Sequence, residues 1–252
     1  MLRSYPRVLL VEDNAQWFPE PIAAPELQGD LICLSFGRGK PVSLLGGGGL
    51  LIRNDLAADV SEDVSASVGA AAMTGLALRA KAAVFNALLH PRLYELVNRN
   101  PLVELGQTRF KPLSTIEALD TLRRDSLSAA ATHYLALSRT AEQAWSRALA
   151  DIASLQAIDV ASERWGRLLR YPILCSDAAA RDRIWFTLDC AGLGVTAMYR
   201  CALPDVNGVA GKFEVFRDYA NARRFAARLL TLPVHAQVRS ADISRAHDLL
   251  MC

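Results

Sequence analysis

The chain has 252 residues, of which 52% are hydrophobic and 21% charged, and its formal net charge at pH 7 is +2. This composition is typical of a globular protein with a substantial core and excludes an intrinsically disordered chain. The net charge alone argues neither for nor against a nucleic-acid partner. The pairs Arg123-Arg124 and Arg223-Arg224 lie in helix-like segments without a broader basic cluster. We therefore expect solvated helix faces there and no nucleic-acid binding.

Cysteine and histidine spacing argues against metal and disulfide chemistry. The five cysteines are odd in number and never form C-x-x-C, and the four histidines show no H-E-x-x-H spacing. The sequence therefore predicts reduced thiols in a cytoplasm and no metal site.

Residues 64–78 are uncharged but shorter than the roughly 18 apolar residues that a membrane span requires. With no visible signal peptide, we expect a soluble cytoplasmic protein without a membrane partner.

Three strands are predicted near the start of the chain. "RVLLVED" is a short apolar run that ends in acids, which is typical of a parallel strand covered on both faces. "DLICLSFG" predicts a second strand and "LLIRN" a third. The run Gly46–Gly49 is interpreted as a tight connection between them, which either contacts a ligand or is simply a flexible turn.

A helical section follows, from about residue 56 to 155. "LALRAKAAVFNALL" and residues 123–155 carry apolar residues at three- and four-residue spacing. Beyond about residue 160 the pattern alternates again. Strands are predicted at "RLLRYPIL", "GVTAMYR" and "LLTLPVH", and helices near "SDAAARDRIWFTLDCAG" and "YANARRFAARLL". We therefore expect three parts: residues 1–55 in an α/β domain, 56–155 in a helical section and 156–252 in a small α+β domain.

An acid and a lysine form the candidate site. Asp13 ends the first predicted strand, and Lys40 follows the second. In a parallel sheet, neighbouring strands place both residues at the same carboxyl edge, where α/β proteins bind ligands. An acid and a lysine facing one pocket suit pyridoxal phosphate (PLP), whose ring nitrogen pairs with a carboxylate and whose aldehyde bonds to a lysine. An ordinary Asp13–Lys40 salt bridge at a sheet edge is the alternative.

A nucleotide-binding P-loop is excluded at the same lysine. In G-x-x-x-x-G-K-[ST], Pro41 would replace the Ser or Thr that binds magnesium, and Leu34 would replace the first glycine.

Four motifs, in order along the chain, point to a known family. "VEDNAQ", "GDLICLSFGRGKPVSLLGGGG" and "ARLLTLPVHAQVRSADISRA" resemble the DegT/DnrJ/EryC1/StrS family of sugar aminotransferases. That family has an E-D-x-A-Q/H strand, a G-D-x-x-x-x-S-F-x-x-x-K motif, a G-G strand and an L-P-L-H-type signature near its C-terminus. The resemblance implies a fold-type I PLP aminotransferase, with an α/β large domain, a helical section and a small α+β C-terminal domain.

The resemblance also assigns roles to individual residues. Lys40 matches the lysine that binds PLP covalently, and Asp13 the carboxylate that pairs with the ring nitrogen. Gln16 matches the residue near the ring's phenolic oxygen, and Ser35 the serine at the cofactor phosphate. Because Lys40 is kept where related dehydratases carry histidine, transamination is favoured over dehydration. The implied partners are a nucleotide-linked keto-sugar, an amino-acid donor such as glutamate, and a second subunit, in polysaccharide biosynthesis.

One feature departs from the family pattern. Members carry a long portion before the E-D-x-A-Q strand, which supplies a phosphate-binding turn and an aromatic residue that stacks on the ring. Here Glu12 follows Met1 by only eleven residues, so an N-terminally truncated fold is expected. Two hypotheses follow. The chain is an aminotransferase, incomplete alone, that works as a homodimer or with a complementing N-terminal chain; or it is a non-catalytic remnant that serves as a dimerisation or scaffolding module.

Overall fold

A computed structural model describes residues 8–20, 27–70, 75–88, 112–157, 166–209 and 218–251. The chain divides into two compact units. The first comprises Met1–Leu105 and Leu113–Ala136, and the second comprises Gly106–Pro112 and Leu137–Cys252. The three-part organisation expected from the sequence stays a prediction.

The first unit contains a three-stranded mixed sheet. Its strands are β1 (Val11–Asn14), β2 (Leu31–Ser35) and β3 (Gly48–Ile52), in the order β1-β2-β3. β1 and β2 are parallel, as expected for neighbouring strands of an α/β domain, whereas β3 runs antiparallel to β2. The three predicted strands are therefore confirmed, but Gly48 and Gly49 belong to β3 and only Gly46 and Gly47 lie in the connection. An antiparallel neighbour needs only a returning loop, so this connection contains no crossover helix.

The rest of the first unit is mostly helical. Its elements are α1 (Ala57–Ser67), β4 (Val68–Gly69), α2 (Gly75–Leu88), β5 (Ile116–Glu117) and α3 (Thr121–Ala136). The short strands β4 and β5 pair in parallel. Asp120 immediately precedes α3, and its carboxylate accepts the backbone amide of Arg123 at 3.1 Å, which satisfies one of the free amides at the helix N-terminus.

The second unit is a small α+β fold around an antiparallel sheet. Its elements are α4 (Thr140–Ala148), β6 (Leu155–Ala157), β7 (Tyr171–Cys175), α5 (Ala178–Cys190), α6 (Ala220–Arg228), β8 (Leu229–Leu232) and α7 (Ser240–Met251). The strand order is β6-β7-β8, with both pairs antiparallel. All four residues of β8 are buried, so this strand lies inside the core and not at its surface.

The core of the second unit is built around Trp145. Its side chain packs with Tyr171, Leu188 and Leu230, all of which are buried. The indole Nε1 of Trp145 donates to the carbonyl of Pro233 at 2.8 Å, so its one polar group is satisfied inside the apolar cluster. α4 and α7 pack against each other, and α5 contacts both β7 and β8.

Two sequence-based expectations are wrong in detail. The predicted helix over 123–155 is interrupted between Ala136 and Thr140, where α3 ends and α4 begins. The segment "GVTAMYR" is not a strand, because only Thr196 forms a β-bridge, with Thr231. The bridge keeps both of its backbone hydrogen bonds, from Thr196 N to Thr231 O at 3.0 Å and from Thr231 N to Thr196 O at 2.8 Å, and Arg170 lies beside it. Its Nη2 donates to the carbonyls of Gly194 at 2.5 Å and Thr231 at 2.9 Å.

Arg124 and Arg224 are exposed, as expected, but the other arginine of each pair is not simply solvated. Arg123 is 8% exposed and is not on a solvated face. Arg223 chelates the carboxylate of Asp205 through Nε and Nη2, both at 2.8 Å, and also pairs with Asp218. A side-chain fork of this kind matches carboxylate geometry and fixes α6 to the turn that contains Asp205.

Across the helices of the described residues, none combines the length and apolarity that crossing a bilayer demands.

Candidate functional site

The carboxyl ends of β1 and β2 bring two predicted site residues together. Asp13 is paired in parallel register with Cys33, two positions before Ser35. Because side chains alternate along a strand, Asp13, Cys33 and Ser35 share one face of the sheet. The carboxylate of Asp13 is exposed and accepts the amide of Ala15 at 3.1 Å, which shapes the turn after β1. Gln16 lies in this turn and is exposed.

Lys40 lies in a loop that leaves β2 at the same end. The amide of Lys40 donates to the carbonyl of Gly37 at 3.3 Å, which closes a tight turn, and Gly39 has a φ of +67°. A positive φ at this position favours glycine, which explains the G-R-G sequence before the lysine. Ser35 Oγ accepts the amide of Gly37 at 3.4 Å. The half-buried Lys40 is thus presented by a turn that starts directly at Ser35.

The loop closes on Phe36. The amide of Phe36 donates to the carbonyl of Gly47 at 2.9 Å, and its carbonyl accepts the amides of Leu44 at 2.9 Å and Gly46 at 3.1 Å. Phe36 and Val42 are buried and anchor the loop on both sides of Lys40. We call residues 36–47 the lysine loop. The hydrogen bonds of Phe36 therefore tie the two ends of the lysine loop together directly after β2.

Packing explains the glycine run without a ligand. A Cβ at Gly47 would lie 2.4 Å from Leu119 Cδ1, and one at Gly48 would lie 2.5 Å from the carbonyl oxygen of Leu34. Gly46 and Gly47 also have positive φ angles, +149° and +87°. Backbone conformation or close approach thus accounts for Gly46, Gly47 and Gly48, whereas a Cβ at Gly49 would meet only the Phe36 ring at 3.4 Å, an ordinary contact. This supports the turn interpretation over a ligand contact.

Two cations hold the end of the lysine loop. Arg123 Nε donates to the carbonyl of Leu44 at 2.9 Å, and Lys81 Nζ donates to the carbonyl of Leu45 at 3.0 Å. Arg123 Nη1 also donates to Asp120 Oδ2 at 2.5 Å. Burial raises the pKa of the Asp120 carboxyl, but the amide and guanidinium of Arg123 outweigh it, so this pKa lies below its usual range. Sequence reasoning missed this network, although Asp120 three residues before Arg123 was a visible signal.

Two acids fix the strands that carry the site. Glu12 Oε1 accepts the amides of Gln28 at 2.7 Å and Gly29 at 2.5 Å, directly before β2. Asp30 is buried, accepts the amide of Leu10 at 2.8 Å and pairs with Arg53 beyond β3. These contacts explain the acidic residues of the "VED" and "GD" motifs as structural groups. They hold β1, β2 and β3 in register.

The salt bridge that was the alternative interpretation is not formed. Among the residues that the structure describes, neither Asp13 nor Lys40 has an ion-pair partner. A carboxylate, a primary amine and a hydroxyl at one end of a sheet are the groups that bind the ring nitrogen, aldehyde and phosphate of PLP. The chemistry of Asp13, Lys40 and Ser35 therefore fits this cofactor.

A pocket of about 570 Å³ lies elsewhere in the first unit. It is lined by β4, β5 and adjoining residues, including Ser67, Ser114, Thr115 and Glu117, and contains none of the predicted site residues. Cavity size therefore does not identify the site; the placement of the reactive groups does.

Comparison with solved structures identifies the class of fold. A DegT DnrJ EryC1 StrS aminotransferase from Brucella abortus has a TM-score of 0.62 and 16% identity, covering 96% of this chain and 56% of that one. DesI, solved with its TDP-sugar product, has a TM-score of 0.63 and 18% identity, covering 99% and 56%. Spr1654 from Streptococcus pneumoniae, assigned as a sugar aminotransferase and solved in its PLP form, has a TM-score of 0.60 and 13% identity, covering 99% and 58%.

These similarities establish the fold of the chain. It is a mixed α/β fold shared with sugar aminotransferases of the DegT/DnrJ/EryC1/StrS type. The chain spans 56–58% of the length of these three structures. No protein-family model matches the sequence, and no curated protein does.

Proposed function

We propose that the chain is part of a PLP-dependent aminotransferase of fold type I that acts on nucleotide-linked keto-sugars. One observation carries the proposal. The parallel pairing of β1 and β2 brings Asp13 to the end of the sheet at which the lysine loop begins, and leaves Asp13 and Lys40 without ion-pair partners among the described residues. In a protein whose fold is shared with sugar aminotransferases, an acid and an amine so placed support PLP binding.

Each of the predicted site residues has a separate role toward the cofactor. PLP, when bound, supplies a ring that accepts electrons from the bond broken at the substrate carbon. Lys40 Nζ would bond to the cofactor and would serve afterwards as the base that holds the transferred proton. The Asp13 carboxylate would keep the ring nitrogen protonated. Ser35 would donate its hydroxyl to the phosphate, and Gln16 would serve the phenolic oxygen.

The substrate and assembly follow from the relatives. DesI was solved with a TDP-sugar product, so we propose a nucleotide-linked keto-sugar as the amino acceptor and glutamate as the donor. We further propose that the chain works as a homodimer or with a complementing chain. A role in polysaccharide biosynthesis in the cytoplasm is part of the same proposal.

An absorbance titration tests the proposal. PLP is added to the purified 252-residue chain and to the variants Lys40→Ala, Asp13→Asn and Lys212→Ala. The parent and Lys212→Ala are expected to develop the same saturable visible band, because the proposal assigns no role to Lys212. Lys40→Ala should show none, and Asp13→Asn should bind at least about tenfold more weakly, the effect of one lost charged hydrogen bond. An equal band in the parent and Lys40→Ala would overturn the assignment of Lys40.

The alternative is a non-catalytic association module, and one observation favours it. β1 is an edge strand of the described sheet; Val11 on this strand, and Val8 and Leu9 just before it, are more than half exposed. An apolar edge of this kind pairs readily with another chain. Light scattering on the folded chain distinguishes the two functions. A stable dimer without any PLP band supports the association module, whereas a band abolished by Lys40→Ala supports the enzyme.

A further inference from the structure

We propose that Arg123 and Lys81 are positioning residues that hold the lysine loop in the conformation that presents Lys40. The inference rests on the proposed function for the role of Lys40, but the loop geometry that carries it stands independently. Neither residue lies in the motifs that contain Asp13, Ser35 and Lys40. They come from α3 and α2, far along the chain, and meet the loop at consecutive carbonyl groups.

The two cations satisfy carbonyls that the loop itself cannot satisfy. The loop directs the amides of Leu44 and Gly46 inward to the carbonyl of Phe36. The carbonyls of Leu44 and Leu45 accept instead from Arg123 Nε at 2.9 Å and Lys81 Nζ at 3.0 Å. Hydrogen bonds from charged donors are stronger than neutral ones. The end of the lysine loop is therefore fixed by hydrogen bonds to Phe36 within the loop and to Arg123 and Lys81 outside it.

The backbone at this point needs external support. Leu45 has a φ of +60°, the one positive value at a non-glycine residue of the described chain. A leucine in this region is strained, and such a conformation persists only where surrounding contacts determine it. The carbonyl of this residue is the one that Lys81 binds. Removal of the lysine should therefore release both the carbonyl and the strain.

The Arg123 side chain is itself fixed before it reaches the loop. Its guanidinium donates to Asp120 at 2.5 Å, and both side chains are buried. A Cβ at Gly46 would lie 3.4 Å from Arg123 Nη2, an ordinary contact, so the guanidinium packs directly against this glycine. Asp120, Arg123 and Gly46 thus form one packed group. Because Lys40 is four residues before Leu44 and Val42 between them is buried, order at Leu44 is transmitted to Lys40 through a short anchored segment.

The test compares the parent with Arg123→Gln, Lys81→Gln, Lys81→Arg and the matched control Arg124→Gln. Arg124 is the exposed neighbour of Arg123 on α3, so this control removes the same charge without touching the loop. Hydrogen exchange is followed at the amides of the lysine loop, and acetylation of Lys40 by acetic anhydride is followed by mass spectrometry. PLP titration is carried out in parallel.

Arg123→Gln and Lys81→Gln are expected to speed exchange of the loop amides about tenfold, as for the loss of one charged hydrogen bond. They should also raise the acetylation rate of Lys40 and weaken PLP binding by a similar factor. Lys81→Arg should restore the parent values, since it keeps a charged donor, and Arg124→Gln should match the parent. If Arg123→Gln also speeds hydrogen exchange throughout α3, the result for Lys81→Gln, a substitution at an exposed residue, decides whether the positioning role holds.

The possible contrary results separate the two proposals. Unchanged loop exchange in Lys81→Gln overturns the positioning role, as does exchange that rises equally throughout the sheet, because general destabilisation would then explain it. Faster exchange with unchanged acetylation of Lys40 also overturns it. A parent that forms no PLP band overturns the proposed function, while exchange and acetylation still decide whether the two cations position Lys40.

Discussion

The carboxylate of Glu12 accepts the backbone amide of Gly29 at 2.5 Å, across 17 positions of the chain. The same oxygen accepts the amide of Gln28 at 2.7 Å. Glu12 lies in β1 beside Asp13, and Gly29 comes two residues before β2, which leads to Lys40. This contact therefore ties the strand of the proposed acid to the entry of the strand that precedes the proposed lysine.

Glu12→Gln is expected to loosen this connection. An amide oxygen accepts more weakly than a carboxylate, so the variant should lose about 1–2 kcal/mol of local stability. Because two compact units need not unfold together, a single melting curve is a poor measure. Hydrogen exchange of residues 8–20 and 27–35 reports the local free energy of opening instead. Glu62→Gln, at an exposed position on α1, is the control; an equal loss there would contradict the prediction.

Gly48→Ala should destabilise the sheet through a steric clash. The new Cβ would lie 2.5 Å from the carbonyl oxygen of Leu34, a backbone atom that cannot turn away. We expect a loss of about 3 kcal/mol, at the upper end for overpacking. Gly69→Ala is the matched substitution, since its Cβ would meet only the carbonyl oxygen of Ile116 at 3.6 Å, an ordinary contact. Exchange protection of β2 and β3 that is equal in both variants would disprove the clash.

The lowered pKa of Asp120 predicts that the stability of the first unit depends on pH. Its pKa is lowered in the folded state, so it contributes stability above its unfolded pKa of about 3.9, and this is lost as pH falls through the lower folded value. Asp120→Asn should therefore be less stable than the parent at neutral pH. The difference should shrink as pH is lowered from about 5 to about 3. Urea unfolding followed by exchange of α3 measures it. Asp125→Asn, exposed on the same helix, should show no such convergence.

Cys175 should resist alkylation in the folded protein. Burial raises the pKa of its thiol to about 11, so almost none is thiolate near neutral pH. Cys190 and Cys201 are exposed. With iodoacetamide at about pH 8, these two should react at least about a hundredfold faster than Cys175. Peptide mass spectrometry gives the three rates, and urea should abolish the difference. Rapid alkylation of Cys175 in the native chain would show that β7 is open to solvent.

Several elements were predictable because their causes are local. The apolar runs before Asp13 and Ser35 predicted β1 and β2, and helix-forming sequence predicted α5 and α6. The break between α3 and α4 and the missing strand after Gly194 were not predicted. In the second case the chain forms a single bridge, between Thr196 and Thr231, and the side chain of Arg170 donates to the carbonyl of Gly194. A propensity argument cannot see a side-chain contact of this kind, which joins positions 24 apart.

The candidate site shows the same division. The sequence by itself determined which groups are available, namely the acid that ends one strand, the serine and lysine after the next, and the glycines that a tight loop requires. Only the tertiary structure decided that β3 is antiparallel to β2, that Asp13 and Lys40 do not pair with each other, and that Arg123 is buried. The physical reason is distance along the chain. Arg123 reaches Leu44 across 79 positions, and such a contact depends on packing, which no local pattern of residues records.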